Sequence, residues 1–115
     1  MFFCKRVYKA AEVGDGYRVL VDRLWPRGMT KEALVMDDWL KELAPSSALR
    51  KQFHSGRLDF AAFSVQYRVE LNAQAALSQS LLARSRRGNV TLLYAARDEQ
   101  NSHVPILMDF LHQLT

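Results

Sequence analysis

Two short runs constrain this chain more than any other feature: residues 18–22, "RVLVD", and residues 90–96, "VTLLYAA". A strand with one wet face alternates apolar and polar residues. These two are nearly continuous in apolar or β-favouring residues, the pattern of strands in the middle of a sheet that is covered on both faces. The cover has to come from the rest of the chain, and the rest is largely helical in period. Phe60, Phe63, Tyr67 and Leu71 form one apolar stripe behind Asp59. Val104, Leu107, Met108, Leu111 and Leu114 mark a last helix, with Ser102 as its cap and Pro105 tolerated in the first turn.

Between the two runs, "DDWLKELA" offers Asp37 as a cap and Pro45 as a stop, which predicts a helix there. Ser46 then caps a second short helix over "SALRKQF". More helix is expected from about residue 73 to 86, ending before Gly88, and the sequence leaves open whether Asn72 divides it from the preceding stripe. A third strand over residues 2–8 has mixed polarity and belongs at an edge. Its link to residue 18, "KAAEVGDG", is too short for a parallel crossover between neighbours, so direct pairing of those two strands would be antiparallel. Strand, helices, strand, helix is the order of an α/β layer structure. The expectation is a single domain over residues 1–115, with a small mostly parallel or mixed sheet and helices on both faces.

In such sheets ligands gather beyond the carboxyl ends of parallel strands. The stretch after the first run is "DRLWPRGMTK" and the stretch after the second is "RDEQNSH". If the strands are parallel neighbours, Asp22, Arg23, Arg27 and Lys31 face Arg97, Asp98 and His103 across one crevice. The guanidinium groups of Arg23, Arg27 and Arg97, with Lys31, suit a phosphate or carboxylate. The competing reading is a structural network in which Asp22 and Asp98 pair with those cations. The two stand level, with the excess of cations tipping toward a ligand.

His103 suits an acid-base role, and Asp22 and Asp98 suit orienting groups or proton acceptors. Holding the loop by a hydrogen bond is the plainer use of the histidine. Trp25 could stack on a ring, Trp39 belongs with core packing, and Tyr94 could point either way.

Composition narrows the classes. Apolar residues at 49% and charged residues at 24% describe a folded globular chain. The single cysteine, Cys4, forbids an internal disulfide. The start, "MFFCKRVYK", reaches charge at Lys5 and Arg6 with no signal-peptide core, and no run has membrane-spanning length, so a cytoplasmic protein without membrane contact is expected. Three histidines without paired spacing give no zinc motif, and no glycine-rich phosphate loop or nucleophile elbow is present. No metal or cofactor is therefore expected. The net charge of +4 permits nucleic acid as a partner, through Arg84, Arg86, Arg87, Arg50 and Lys51, but cations at a helix end also serve the helix dipole.

Three blocks, "DGYRVLVDRLWPRGMTKE", "WLKELAPSSALRKQF" and "VTLLYAARDEQNSH", resemble the YeaO-like proteins, a branch of the family called domain of unknown function 488. The likeness runs over nearly the whole chain. It implies a small bacterial α/β domain, cytoplasmic, with no agreed substrate. The polar set of that family falls on Asp22, Arg23, Trp25, Pro26, Arg27, Gly28 and Lys31. It continues at Trp39, Lys41, Pro45, Ser46 and Arg50, and at Tyr94, Asp98 and His103. YeaO-like proteins place Asn directly before the histidine, where this chain has Ser102, and both types cap helices. More distant members carry Cys there, and its absence here argues against thiol chemistry in this loop. The functional expectation is an enzyme, or a former enzyme, acting on a small anionic ligand in a pocket at the strand ends. The alternative is a nucleic-acid-binding or protein-interaction domain without catalysis.

Overall fold

The computed structural model describes residues 1–114. A four-stranded, fully parallel sheet has the order β1-β4-β2-β3, with β1 Phe2–Arg6, β2 Tyr17–Leu20, β3 Asp38–Trp39 and β4 Val90–Tyr94. Four α-helices complete it: α1 Ser47–His54, α2 Phe60–Asn72, α3 Ala75–Arg87 and α4 Val104–Gln113. Every residue of β4 is buried, as its unbroken apolar run requires. β1 lies at the edge, as its mixed polarity predicts.

The short link after β1 is reconciled by strand order. β1 and β2 are not neighbours; each pairs in parallel with β4. The link crosses one face of β4 almost without helix, apart from a 3-10 turn at Val13–Asp15. Thr91 Oγ1 on β4 donates to the Asp15 carbonyl (2.7 Å) and fixes the crossing. Gly16 is needed where this segment meets the chain before β4: its φ is +65°, and a Cβ there would sit 2.1 Å from the Asn89 carbonyl oxygen.

Both faces of the sheet are covered, but unequally. All four α-helices contribute to one cluster, in which Tyr67, Leu71, Leu82, Leu107 and Leu111 pack on Val19, Val21, Val90 and Leu92. On the opposite face Leu20 and Leu93 are covered by the loop after β2, through Leu34, Trp25, Met29 and Met36. Helices on both faces were expected, and on this face a long loop does the work instead. Its apolar residues are irregularly spaced and give no helical period.

The helix expected over residues 37–44 is a correction. Asp38–Trp39 forms β3, in register with Val19 and Leu20, and a 3-10 turn, Lys41–Leu43, follows. Asp37 accepts from the Arg18 amide (2.8 Å) instead of capping a helix. Pairing with a strand far away in sequence overrides local propensity over so short a segment. The other caps agree with the sequence: Ser46 Oγ accepts from the Leu49 amide, and Asp59 Oδ1 from the Ala62 amide. At Asn72, where the sequence left both readings open, α2 ends and α3 begins at Ala75. Ser102 does not stand at the cap of α4, which His103 occupies, yet its hydroxyl still accepts from the Val104 amide (3.2 Å).

Candidate functional site

Beyond the carboxyl ends of β1, β2 and β4 lies a cleft of about 730 Å³. Its position follows from the fold, because the chain leaves the sheet there through Val21–Arg23 and Ala95–Arg97. Two tethers bring helices over it. Ser46, which starts α1, donates from its amide and hydroxyl to the Glu70 carboxylate on α2 (2.7 and 2.6 Å), and the Tyr67 hydroxyl donates to the Leu43 carbonyl. α1 is thereby held so that Arg50 and Phe53 line the cleft.

Five arginines line it, Arg6, Arg23, Arg27, Arg50 and Arg97, against one carboxylate, Asp22. Among the described residues none of the five pairs with a carboxylate. Two are fixed by backbone carbonyls instead. Arg6 donates to Ala95 and Ala96 (2.9 and 3.0 Å), and Arg23 to Pro45 and Ala44 (2.9 and 3.2 Å). Arg27 and Arg97 are exposed. Arg50 is the most telling, because its Nε is buried and has no hydrogen-bond partner. Like charges repel, so five guanidiniums gathered around a single carboxylate favour an anion among them.

Asp22 and His103 form the floor. One Asp22 oxygen accepts from the Ala95 amide (2.9 Å), and the other lies 3.4 Å from His103 Nε2. His103 Nε2 is 2.8 Å from the Val21 carbonyl, which can only accept, so the ring proton sits on that nitrogen. Burial holds the imidazole below its ordinary value, and the Asp22 charge and the Val21 carbonyl offset only part of that. Burial likewise pushes the Asp22 carboxyl above its ordinary value, against the pull of His103, the Ala95 amide and Arg50. The Tyr67 ring stands edge-on to His103 at 5.9 Å.

Of the residues singled out in the sequence, Asp22, Arg23, Trp25, Arg27, Arg97 and His103 meet in this cleft. Lys31 is exposed outside it. Asp98 is also exposed and accepts from Asn101 (2.7 Å). Tyr94 is buried on β4, where burial and the neighbouring Glu99 push its hydroxyl up to about 12. Trp25 donates to the Met29 carbonyl (2.6 Å) and meets Trp39 edge-to-face at 5.5 Å, leaving part of its ring on the cleft wall.

Arg6 was missed, because an edge strand carries no signal for a binding side chain. Arg50 was counted only with the basic surface and the family set, Phe63 read as part of an apolar stripe, and Phe53 was not singled out. Cys4 lies outside the cleft, its thiol pushed up to about 12 by burial and by Glu99. Among the described residues no group of three or more histidines, cysteines and carboxylates could hold a metal, and no helix is long and apolar enough to cross a membrane.

The family model described as the inactive DUF488-N3 subclade matches residues 1–115. The uncharacterized protein YeaO of Escherichia coli (strain K12) is 46% identical over 111 residues, 96% of each chain. The uncharacterized protein Rv3073c of Mycobacterium tuberculosis (strain H37Rv) is 38% identical over 107 residues, 93% of this chain and 90% of that one. No solved structure matches significantly. The chain belongs to the DUF488 family, in its YeaO-like branch.

Proposed function

We propose that this DUF488 chain uses the cleft to bind a small anionic ligand, one bearing a phosphate or carboxylate, and that it does so without turning the ligand over. The observation that carries the reading is the set of five cleft arginines without a carboxylate partner, with Arg50 Nε buried and unsatisfied. The structural network in which Asp22 and Asp98 neutralise these cations draws little support, because the Arg50 charge reaches Asp22 but no cleft arginine forms an ion pair with either carboxylate. Asp22 engages Ala95 and His103, and Asp98 engages Asn101.

Binding without turnover is supported on three counts. The subclade is described as inactive. The two hydroxyl-bearing residues of the lining are both tied to backbone, Tyr8 to the Arg27 carbonyl (2.8 Å) and Ser102 to the Glu99 carbonyl (2.7 Å). The proton of His103 is committed to the Val21 carbonyl, which leaves Asp22 to orient a ligand. The nucleic-acid reading draws less support, because its cations are scattered. Arg84 lies over the Tyr17 ring at 3.8 Å, at the opposite ends of the strands, while Arg50 lines the cleft.

The test is a thermal-shift panel of nucleotides, sugar phosphates, organic acids and short oligonucleotides. A ligand of the folded state raises its melting temperature with concentration. Stabilisation by a small anion, abolished in Arg27→Ala, is the expected result. Stabilisation by oligonucleotides alone, erased by moderate salt, would move the reading to nucleic acid.

A further inference from the structure

The cleft is chemically uneven, and the unevenness narrows the ligand; the inference rests on the anion-binding reading above. Its edge is cationic, with Arg27 and Arg97 exposed to solvent. Its floor is not. The Asp22 side chain is 16% exposed, and the oxygen that does not serve Ala95 keeps acceptor capacity, since the nearby His103 proton goes to Val21. A bare anion at that floor meets a like charge, whereas a neutral N–H or O–H donor is bound there. Part of the lining is apolar. Leu24 is 58% exposed on it, beside Pro26, Trp25 and Phe53. An exposed leucine on the wall of a concave site gains by being covered, and a flat ring is suited to cover it.

We propose that the ligand is of the mononucleotide class: a flat, largely apolar ring carrying hydrogen-bond donors that reach Asp22, joined to a phosphate held by Arg27 and Arg97. The ring lies against Leu24. A cleft of about 730 Å³ is within the range that holds such a molecule.

Calorimetric titrations at constant ionic strength test this with inorganic phosphate, ribose 5-phosphate, phenyl phosphate and purine and pyrimidine nucleoside monophosphates. At least one nucleoside monophosphate should bind about tenfold or more tighter than inorganic phosphate, with phenyl phosphate between them. Asp22→Asn keeps the shape and an acceptor for Ala95. It should weaken the nucleotide about tenfold while inorganic phosphate binds equally or a few-fold tighter, because a like charge has gone. Leu24→Ser, at an exposed position, should shrink the advantage of the ring several-fold and leave inorganic phosphate unchanged; it decides the matter alone if Asp22→Asn does not fold. Nucleotides no tighter than inorganic phosphate, or both ligands moving together in Asp22→Asn, would overturn the ligand class while leaving anion binding in place. No binding by any of the anions would overturn both.

Discussion

Two groups of charges in this small protein are handled in opposite ways. On the loop-covered face of the sheet, Lys5, Glu12, Asp15 and Arg18 form a closed set. Lys5 Nζ lies 2.9 Å from Glu12 and 2.8 Å from Asp15, and Arg18 pairs with Asp15 and donates to the Val35 carbonyl. Asp15 also accepts from the Glu12 amide, and its carboxyl is held below the ordinary range, first by the Lys5 hydrogen bond and also by Arg18. At the carboxyl ends of the strands, five arginines gather around one carboxylate and pair with none. The chain therefore satisfies charge where only the fold is at stake and leaves it open where the sheet ends. That contrast is the physical basis for reading the cleft as a binding site, since sites kept for a ligand are often sub-optimal for stability.

The largest effect should come from breaking the closed set. Asp15→Ala leaves the buried Arg18 without a carboxylate and Lys5 with Glu12 alone, at a site that is 10% exposed, and should lower unfolding stability by about 2–4 kcal/mol in urea denaturation. Arg50→Met at the open end should behave otherwise. The stability of the free protein should change by less than about 1 kcal/mol in either direction, because a buried unsatisfied Nε is removed along with the charge, while anion affinity falls about tenfold or more in calorimetry. A large loss of stability in Arg50→Met would mean that the arginine is part of the scaffold.

The smallest effect is one of pH. His103 is held below its ordinary value of about 6.5, so below that pH the unfolded chain takes up a proton that the folded chain resists. Its contribution to stability is present above about pH 6.5 and is lost as pH falls through that value, by at most about 1.4 kcal/mol per pH unit. Asp22, raised above its ordinary value, acts in the opposite sense at lower pH, where the folded chain binds the proton first. The urea midpoint should therefore drop between pH 7.5 and 5.5 in the wild type, and drop less in His103→Gln.

Much of this was legible in the sequence, and the parts that were not share a cause. The central strands could be read because burial on both faces removes alternation from Val19–Val21 and Val90–Leu93. Ser46 and Asp59 could be read because a cap is a local interaction. The cleft followed from one topological rule, which brought Asp22, Arg27, Arg97 and His103 together from segments at least 70 residues apart. What escaped depends on distant partners. Trp39 is a strand residue only because Leu20 pairs with it, and Arg6 reaches the cleft only because β1 lies beside β4. Arg50 enters through the tether of Ser46 to Glu70. Lys31, Tyr94 and Asp98 were drawn in by sequence proximity, yet loop direction takes Lys31 away, strand alternation turns Tyr94 into the fold, and Asp98 turns back to Asn101.

The most direct measurement is equilibrium unfolding of the wild type and of Arg27→Ala/Arg97→Ala at fixed ionic strength, with chloride replaced stepwise by phosphate. Phosphate also strengthens folded proteins generally, by exclusion from their surface, so the difference between the two proteins is the readout. If the open arginines are kept for an anion, the stability of the wild type climbs with phosphate beyond that of the variant, and the gap widens with concentration. Parallel curves for the two proteins would contradict the account.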